Sequence, residues 1–433
     1  MNMSKRWTMI SGMNGSFTSI VVRPTSEYPT VWIKSFTLRY GVSSLLIDWG
    51  DGNKTHHLSG STNIRHNYSV TGGNYIIKIN RDLVGIDMNH DNQSPMIGFS
   101  SDFDIELLSR AFYNRRFLQN LSLPKVKRFV GDYRDQEVFM DCVALSNVSI
   151  PKLEIGAKRM FYGCSGLENI SLPQLRSLSS DMFNRCISLA TVNFPLVEMV
   201  DVNAMCYTSI SSINDNNFSS LKYVCGFAFN YCSNLESINN SHIEVIGYGS
   251  SYSNAFANNS NLESVNIPSC ETVRDLAFYN CSSLSEFSAS NLKLIDYMGL
   301  TNCDLVDVSI PSVEKIGAGA FSGNIHLQTL SLPSIVYLGY EVFGEIKQFV
   351  LNSNPSLNED GSRSAYTYVT VAQQCSALTD IYMTQYTVEQ IGHIKKEEGS
   401  DVECFPWGAP STCRFHGSDG YVLGSGEVVY NNN

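Results

Sequence analysis

The chain has 433 residues and a formal net charge of −11. Only 16% of it is charged, against the usual quarter, and the acidic balance speaks against nucleic acid or an anionic membrane face as a partner. No run approaches the ~18 consecutive apolar residues of a transmembrane helix, so no membrane insertion is expected.

Residues 1–17 form an N-terminal segment. Lys5 and Arg6 are followed by WTMISGMNGSF, too short and too polar for the core of a signal peptide. Export by a leader of its own is therefore not expected.

Residues 18–82 read as strands. SIVVR, IKSFTLRY and SLLIDWG are separated by Pro, Ser and Gly. The run Asp48-Trp49-Gly50-Asp51-Gly52 is a tight turn. Gly50 and Gly52 permit it, and Asp48 and Asp51 can accept backbone N–H bonds within it. His66-Asn67-Tyr68 and Gly73-Asn74-Tyr75 follow. Asp48, Asp51, His56, His57 and His66 could be grouped as a metal site. No cofactor is expected. Residues 83–104 are taken as a connector. There Asp87-Met88-Asn89-His90-Asp91-Asn92 has the alternating oxygens of a calcium loop. Its sixth position is Asn92 rather than Gly and its twelfth is Gly98 rather than Glu, so it reads as an Asx-rich turn. Residues 352–361 read the same way.

From 105 to 384 the chain repeats. An aromatic or similar anchor is followed three residues later by Cys or Asn: Phe139 by Cys142, Phe161 by Cys164, Phe183 by Cys186, Phe229 by Cys232, Phe256 by Asn259, Phe278 by Cys281, Leu300 by Cys303 and Phe321 by Asn324. Most anchors are 22 residues apart, and two gaps, Phe112 to Phe139 and Phe229 to Phe256, are 27. Alternations such as LENISL and LQTLSL are short strands, closed by Pro where the ladder needs no further N–H. A second apolar pair, as in Val313 and Ile316, turns the chain back. No unit can bury its apolar face alone, so units must stack. Ten or eleven coils at about 4.8 Å would extend about 50 Å.

The 12 cysteines fit this pattern better than a disulfide framework. Cys142, Cys164, Cys186, Cys232, Cys281 and Cys303 share one repeat position with Asn259 and Asn324. A position that accepts either residue is expected to be a buried ladder, in which a small polar side chain satisfies backbone groups of the next coil. Cys404 and Cys413 lie outside it, close enough in sequence to bridge. The basic residues Arg110, Arg115, Arg116, Lys125, Lys127 and Arg128 are expected on a solvated face. The two longer units carry extra segments, Gly131–Asp135 and Gly247–Tyr252, rich in Tyr, Gly and Ser. Tyr133, Tyr248 and Tyr252 are the candidate binding residues, suited to a sugar or a protein; the alternative is that they are partly buried loop tyrosines.

After Val350, LNSNPSLNEDGSRSAY reads as a loop and CSALTDIYM as a last, degenerate coil. Residues 385–433 are expected to form a helix plus a β-hairpin. Thr387 caps VEQIGHIKKEEG, with Glu389 early and Lys395 and Lys396 late. This module and the N-terminal sandwich would cover the two ends of the stack, whose coil edges are otherwise unpaired.

Units such as AFYNCSSLSEFSASNLKLIDYMGL and AFSGNIHLQTLSLPSIVYLGYEVF resemble the BspA-like leucine-rich repeats of bacterial surface proteins. The resemblance covers about 65% of the chain and implies adhesion to host matrix or to other cells. The turn Asp48–Gly52, His66 with Tyr68, and Gly73 with Tyr75 are similar, in order, to the markers of the PKD-type immunoglobulin-like domain. That implies a β-sandwich with Tyr68 and Tyr75 packed between its two sheets, a structural position for His66 rather than a metal ligand's, and a role in spacing, display and protein contact. Pro406-Trp407-Gly408 is similar to endings that follow such repeats. No nucleophile elbow, zinc-protease helix, Walker loop or dinucleotide fingerprint is present, and no enzymatic activity is expected. The fold expected is β-rich: a PKD-like β-sandwich, a leucine-rich-repeat solenoid and a small capping module.

The function expected is non-enzymatic binding. A surface-adhesin architecture without a leader points first to a bacteriophage virion component, for attachment or decoration. The alternatives are a bacterial cell-surface adhesin and an intracellular interaction scaffold. The partners expected are other virion or surface proteins, a host surface protein or a glycan. The oligomeric state stays open.

Overall fold

The computed structural model describes residues 17–80, 82–88, 94–107, 109–129, 137–249, 253–351, 366–395 and 405–431. Tyr133, Tyr252, Cys404, Lys396 and residues 352–361 lie outside the described residues, as does most of the Asp87–Asn92 run. The chain divides into two compact units. One runs up to Ile210 and includes Asn216–Ser220; the other holds Ser211–Asp215 and continues from Leu221.

The first unit opens with β1 (Phe17–Val22), β2 (Thr30–Leu38), β3 (Ser44–Asp48), β4 (Lys54–Leu58), β5 (Thr62–Asn67), β6 (Tyr75–Asn80), β7 (Leu83–Asp87), β8 (Met96–Ser101) and β9 (Glu106–Leu107). One sheet runs β8-β1-β6-β3-β4, with each neighbouring pair antiparallel; the other runs β5-β2-β7-β9. Period-two alternation builds them. Val31 and Ile33 of β2 and Leu45 and Ile47 of β3 turn inward and are fully buried beside Trp49. Residues 83–104, expected as a connector, carry β7 and β8 instead. Both strands are buried on nearly every residue, so they lack the alternation that marks a one-sided strand.

β8 also pairs in parallel with Asn120–Ser122, which pairs in parallel with Asn147–Ser149. The antiparallel sheet thus runs straight into the coil strands. Phe99 of β8 packs 4.7 Å from Phe112, the first coil anchor.

Most described coils share the same parts. A three-residue strand buries its middle side chain and turns the flanking two outward, as in Asn169–Ser171 and Thr191–Asn193. A shorter second strand follows, such as Ser177–Leu178 paired in parallel with Met199–Val200. In the second unit the first strands pair from Ser212–Asn214 through Ser237–Asn239 and Ser264–Asn266 to Glu286–Ser288. The anchors stack ring on ring. Phe139, Phe161 and Phe183 lie 5.5 and 5.4 Å apart at 11° and 7°. Phe229, Phe256 and Phe278 repeat this at 5.2 and 5.3 Å. Burying a phenyl side chain contributes about 1.5–3 kcal/mol, and the stacking adds to it.

The third side of most described coils has left-handed residues two before and two after the anchor. Asp181 (φ 56°) and Arg185 (φ 63°) flank Phe183; Asn254 (φ 44°) and Asn258 (φ 61°) flank Phe256. Such backbone costs non-glycine residues about 1–2 kcal/mol each. It is offset because alternate N–H groups then point along the stack. Asp181, Phe183 and Arg185 donate to Val202, Ala204 and Cys206 of the next coil at 2.8–3.0 Å.

On either side of the expected loop, whose interior lies outside the described residues, Ile346–Leu351 and Tyr366–Ala372 pair antiparallel. The stack then resumes, with the Cys375 N–H donating to the Phe343 carbonyl at 2.9 Å. Asp380–Tyr382 pairs with Arg414–His416, and the sheet ends in Gly420–Leu423 and Val428–Tyr430. The helix after Thr387, α1 (Val388–Ile391), is shorter than expected. Thr387 and Gln390 form a reciprocal capping box, but Gly392 ends the helix after one turn.

Candidate functional site

Within each unit the repeat's third position after the anchor forms an interior ladder. Cys142, Cys164 and Cys186 donate through Sγ to the carbonyls of Phe112, Phe139 and Phe161 in the preceding coil, at 3.0–3.1 Å. In the second unit Cys281 and Cys303 donate to Phe256 and Phe278 at 3.2 and 3.4 Å. Asn259 and Asn324 reach the carbonyls of Phe229 and Leu300 through Nδ2 at 3.0 and 2.8 Å. Cys232 is buried at the same position. Three further members escaped the Cys-or-Asn rule. Arg115 stands three after Phe112, Thr208 three after Met205, and Cys375 donates to Phe321 at 2.9 Å across the hairpin insertion. Arg115, expected on a solvated face, is buried; the anchor-plus-three rule, applied to Phe112, points to it.

Burial pushes the thiols of Cys142 and Cys281 up to about 12. The thiolate is the reactive form, so both should resist iodoacetamide at pH 8 in the native protein and react fully in denaturant. Peptide mass spectrometry reads this directly; native alkylation of either would mean the ladder opens. Among the described residues, no group of three or more His, Cys, Asp or Glu is placed to hold a metal.

The turn residues of the N-terminal sheets are knitted to one another. Asp48 accepts from the Gly50 N–H at 3.0 Å and pairs with Lys54 at 3.1 Å. Asp51 accepts from the Asn53 N–H and meets His66 Nε2 at 2.8 Å. His66 lies 4.6 Å from Trp49 at 11°, and the buried Tyr68 hydroxyl donates to the Trp49 carbonyl. Tyr75, expected in the interior, is only half-buried and donates to the Val70 carbonyl. Burial acts to raise the Asp51 carboxyl, but the bonds from His66 and Asn53 prevail and hold it below its usual range.

The outer surface divides into three kinds of column. Two carry ions that neutralise each other between coils. Lys127 pairs with Glu154, Lys222 with Glu244 and Lys293 with Glu314 at 3.0–3.7 Å. The buried Glu137 is clamped by Arg110 and Arg159 at 2.8 and 3.0 Å. The third is the outward face of the first strands, built mainly from Ser, Asn and Thr. Its side chains bond along the ladder, as in Asn147 to Asn120 at 3.0 Å and Asn266 to Asn239 at 2.9 Å.

Tyr248 is the one described member of the candidate tyrosine set. Gly247 (φ 90°) opens a bulge against Val224 and Cys225, and a Cβ there would come within 2.4 Å of Arg274 Cβ. The bulge re-aims Tyr248. Half-exposed, it lies 4.7 Å from Tyr223, a partner the sequence did not suggest.

A second aromatic group stands at the end of the strand face. Tyr382 and His416 stack at 4.6 Å and 13°, and Tyr421 lies 5.7 Å beyond. Beside them the buried Asp380 takes both Arg414 Nε and Nη2 at 2.8 Å and His416 Nε2 at 2.6 Å. Burial acts to raise Asp380, but the bonds from Arg414, His416 and Thr379 outweigh it and hold the carboxyl below its usual range. A depressed folded pKa means the unfolded chain binds the proton first as pH falls. The stabilisation is therefore complete above the ordinary value of ~3.9 and disappears as pH falls through the depressed folded value. The melting-temperature gap between the native protein and Asp380→Asn should narrow from pH 6 to pH 3.

The repeat region matches the family model described as BspA type leucine rich repeat region, in 6 copies, over residues 132–252, 249–359 and 300–393. Among solved structures, a leucine-rich repeat protein from Bacteroides ovatus is 15% identical over 87% of this chain and 78% of its own, at a TM-score of 0.42. A leucine rich cell surface protein from Faecalibacterium prausnitzii is 18% identical over 84% and 99%, at 0.36. The pneumococcal vaccine antigen PcpA is 19% identical over 76% and 67%, at 0.33. These likenesses are too distant to carry an argument. No curated protein matches. The family model spans more than half of the residues, with its anchors and ladder in place, and the chain belongs to the BspA-type leucine-rich repeat family.

Proposed function

We propose that the chain is a non-enzymatic attachment protein, displayed at a bacterial cell surface and binding through the outward face of its first strands. The observation that carries this is the division of labour around each coil. Thiols, anchors and ionic columns are satisfied within the stack, while one face repeats small uncharged hydrogen-bonding groups from coil to coil. Such a face suits recognition, and membership of the BspA-type family supports adhesion as the use. Residues 17–101 are read as a PKD-type immunoglobulin-like domain that covers the first coil through β8. Residues 405–431 are read as the cover of the last. Both remove an edge that would otherwise invite strand pairing. Tyr248 is a candidate contact beside the main face.

A bacteriophage particle is the other surface on which such a protein could stand, and one fractionation separates the two. The native culture is divided into envelope, cytosol and nuclease-treated particles banded on a density gradient, and the chain is followed by mass spectrometry. Recovery in the envelope, with cleavage by protease added to intact cells, supports the proposal. Co-banding with encapsidated DNA would move the attachment role to a virion. Recovery in the cytosol alone would overturn both.

A further inference from the structure

We propose that Tyr382, with the strand face beside it, binds a neutral hexopyranose unit of an oligosaccharide; this deepens the attachment reading above and rests on it. Strand register builds the site. Ser309, Ser331, Tyr382 and His416 occupy one outward row in consecutive coils, and Asp307, Thr329, Asp380 and Arg414 occupy the neighbouring row. One face of the Tyr382 ring is covered by His416. The opposite face looks along the row to Ser331 and then Ser309, whose side chains are too short to cover it. Tyr382 is 40% exposed. The result is a low wall of aromatic carbon above a floor of hydroxyls and one carboxylate.

That combination matches a pyranose, which has an apolar C–H face and a rim of hydroxyls. The C–H face would lie against Tyr382. The hydroxyls would exchange bonds with Ser331, Ser309 and Asp307, the last of which already accepts from Thr329 at 2.5 Å. The wall is stiff. Arg414 grips Asp380 with two bonds, Asp380 holds His416, and His416 backs Tyr382. An ordered ring loses little freedom on binding. Charge selects against acidic sugars. Arg414 and His416 are both turned onto Asp380, and the open floor carries the Asp307 carboxylate.

The test is calorimetric titration of the full chain with mannotriose, cellotriose, N-acetylchitotriose and, as the acidic comparator, trigalacturonate. Saturable binding of at least one neutral trisaccharide is expected, with none of trigalacturonate. Tyr382→Ala should weaken it by about tenfold or more, Tyr382→Phe should retain most of it, and replacement of the fully exposed Tyr40, Tyr40→Ala, should leave it unchanged. Circular dichroism melts establish that each variant is folded. No binding of any neutral sugar, or binding indifferent to Tyr382→Ala, overturns the proposal. Attachment to cells that is lost in Tyr382→Ala while no trisaccharide binds also overturns it. That result assigns the face to a protein ligand and leaves the attachment reading standing.

Discussion

Replacing Asn324 by leucine is expected to lower stability by about 3–5 kcal/mol, although the two side chains are similar in size. Asn324 is fully buried. Its Nδ2 donates to the Leu300 and Phe321 carbonyls at 2.8 and 2.7 Å, and its Oδ1 accepts from the Leu305 N–H at 3.3 Å. Leucine strands the Leu300 carbonyl and the Leu305 N–H where water cannot reach them, while the Phe321 carbonyl keeps Cys375 Sγ, and each buried orphan costs about 1–3 kcal/mol. Asn324→Cys should cost less, about 1–2 kcal/mol, because a thiol at this position still donates to the preceding coil, as Cys303 does. Urea unfolding followed by circular dichroism ranks the variants. Equal losses for leucine and cysteine would mean that the ladder acts by packing alone.

The second large effect belongs to the ring stack. Phe161→Ala should cost about 3–5 kcal/mol. The ring is fully buried, and it loses Phe139 on one side and Phe183 on the other. A coil above and a coil below cannot both close on the void, because their own backbones are tied at fixed spacing by the Phe139 and Phe161 N–H bonds to Met160 and Met182. Phe161→Leu should cost about 1.5 kcal/mol or less, since Leu300 fills the equivalent position of another coil. The same urea experiment decides it; an alanine loss no larger than the leucine loss would remove the stack as a source of stability.

Much of the architecture was legible because the coil is periodic. An anchor with Cys or Asn three positions on is a rule that any reader can apply, and it locates the ladder from Cys142 to Asn324. It passes over Arg115 and Thr208 because their side chains do not look like Cys or Asn. β7 and β8 were missed for a different reason. A strand covered on both faces has no polar alternation, and the Asp- and Asn-rich run between the two disguises them as a linker. The Tyr382 site was the least legible. Asp380, Tyr382, Arg414 and His416 lie in two segments separated by more than thirty residues, and only the parallel pairing of their strands brings them together. Single-sequence periodicity has no means of pairing strands across an insertion and a helix. Tyr248 was visible as an odd loop residue, but its tilted contact with Tyr223 depends on the bulge at Gly247, a backbone event that composition only hints at.

The chemistry of the ladder has a consequence for inheritance. At Cys142, Cys164, Cys186, Asn259, Cys281, Cys303 and Asn324 the rung is a thiol or amide donor, and the receiver is the main-chain carbonyl of the preceding anchor. The receiver is the same whatever side chain the anchor carries, so the junction between coils does not depend on which coil precedes which. A gene encoding such units can gain, lose or shuffle them in whole 22-residue steps, by unequal crossover, without needing a compensating change at the join. Lineages carrying this protein should therefore vary in the number of coils far more readily than in the length of any one of them.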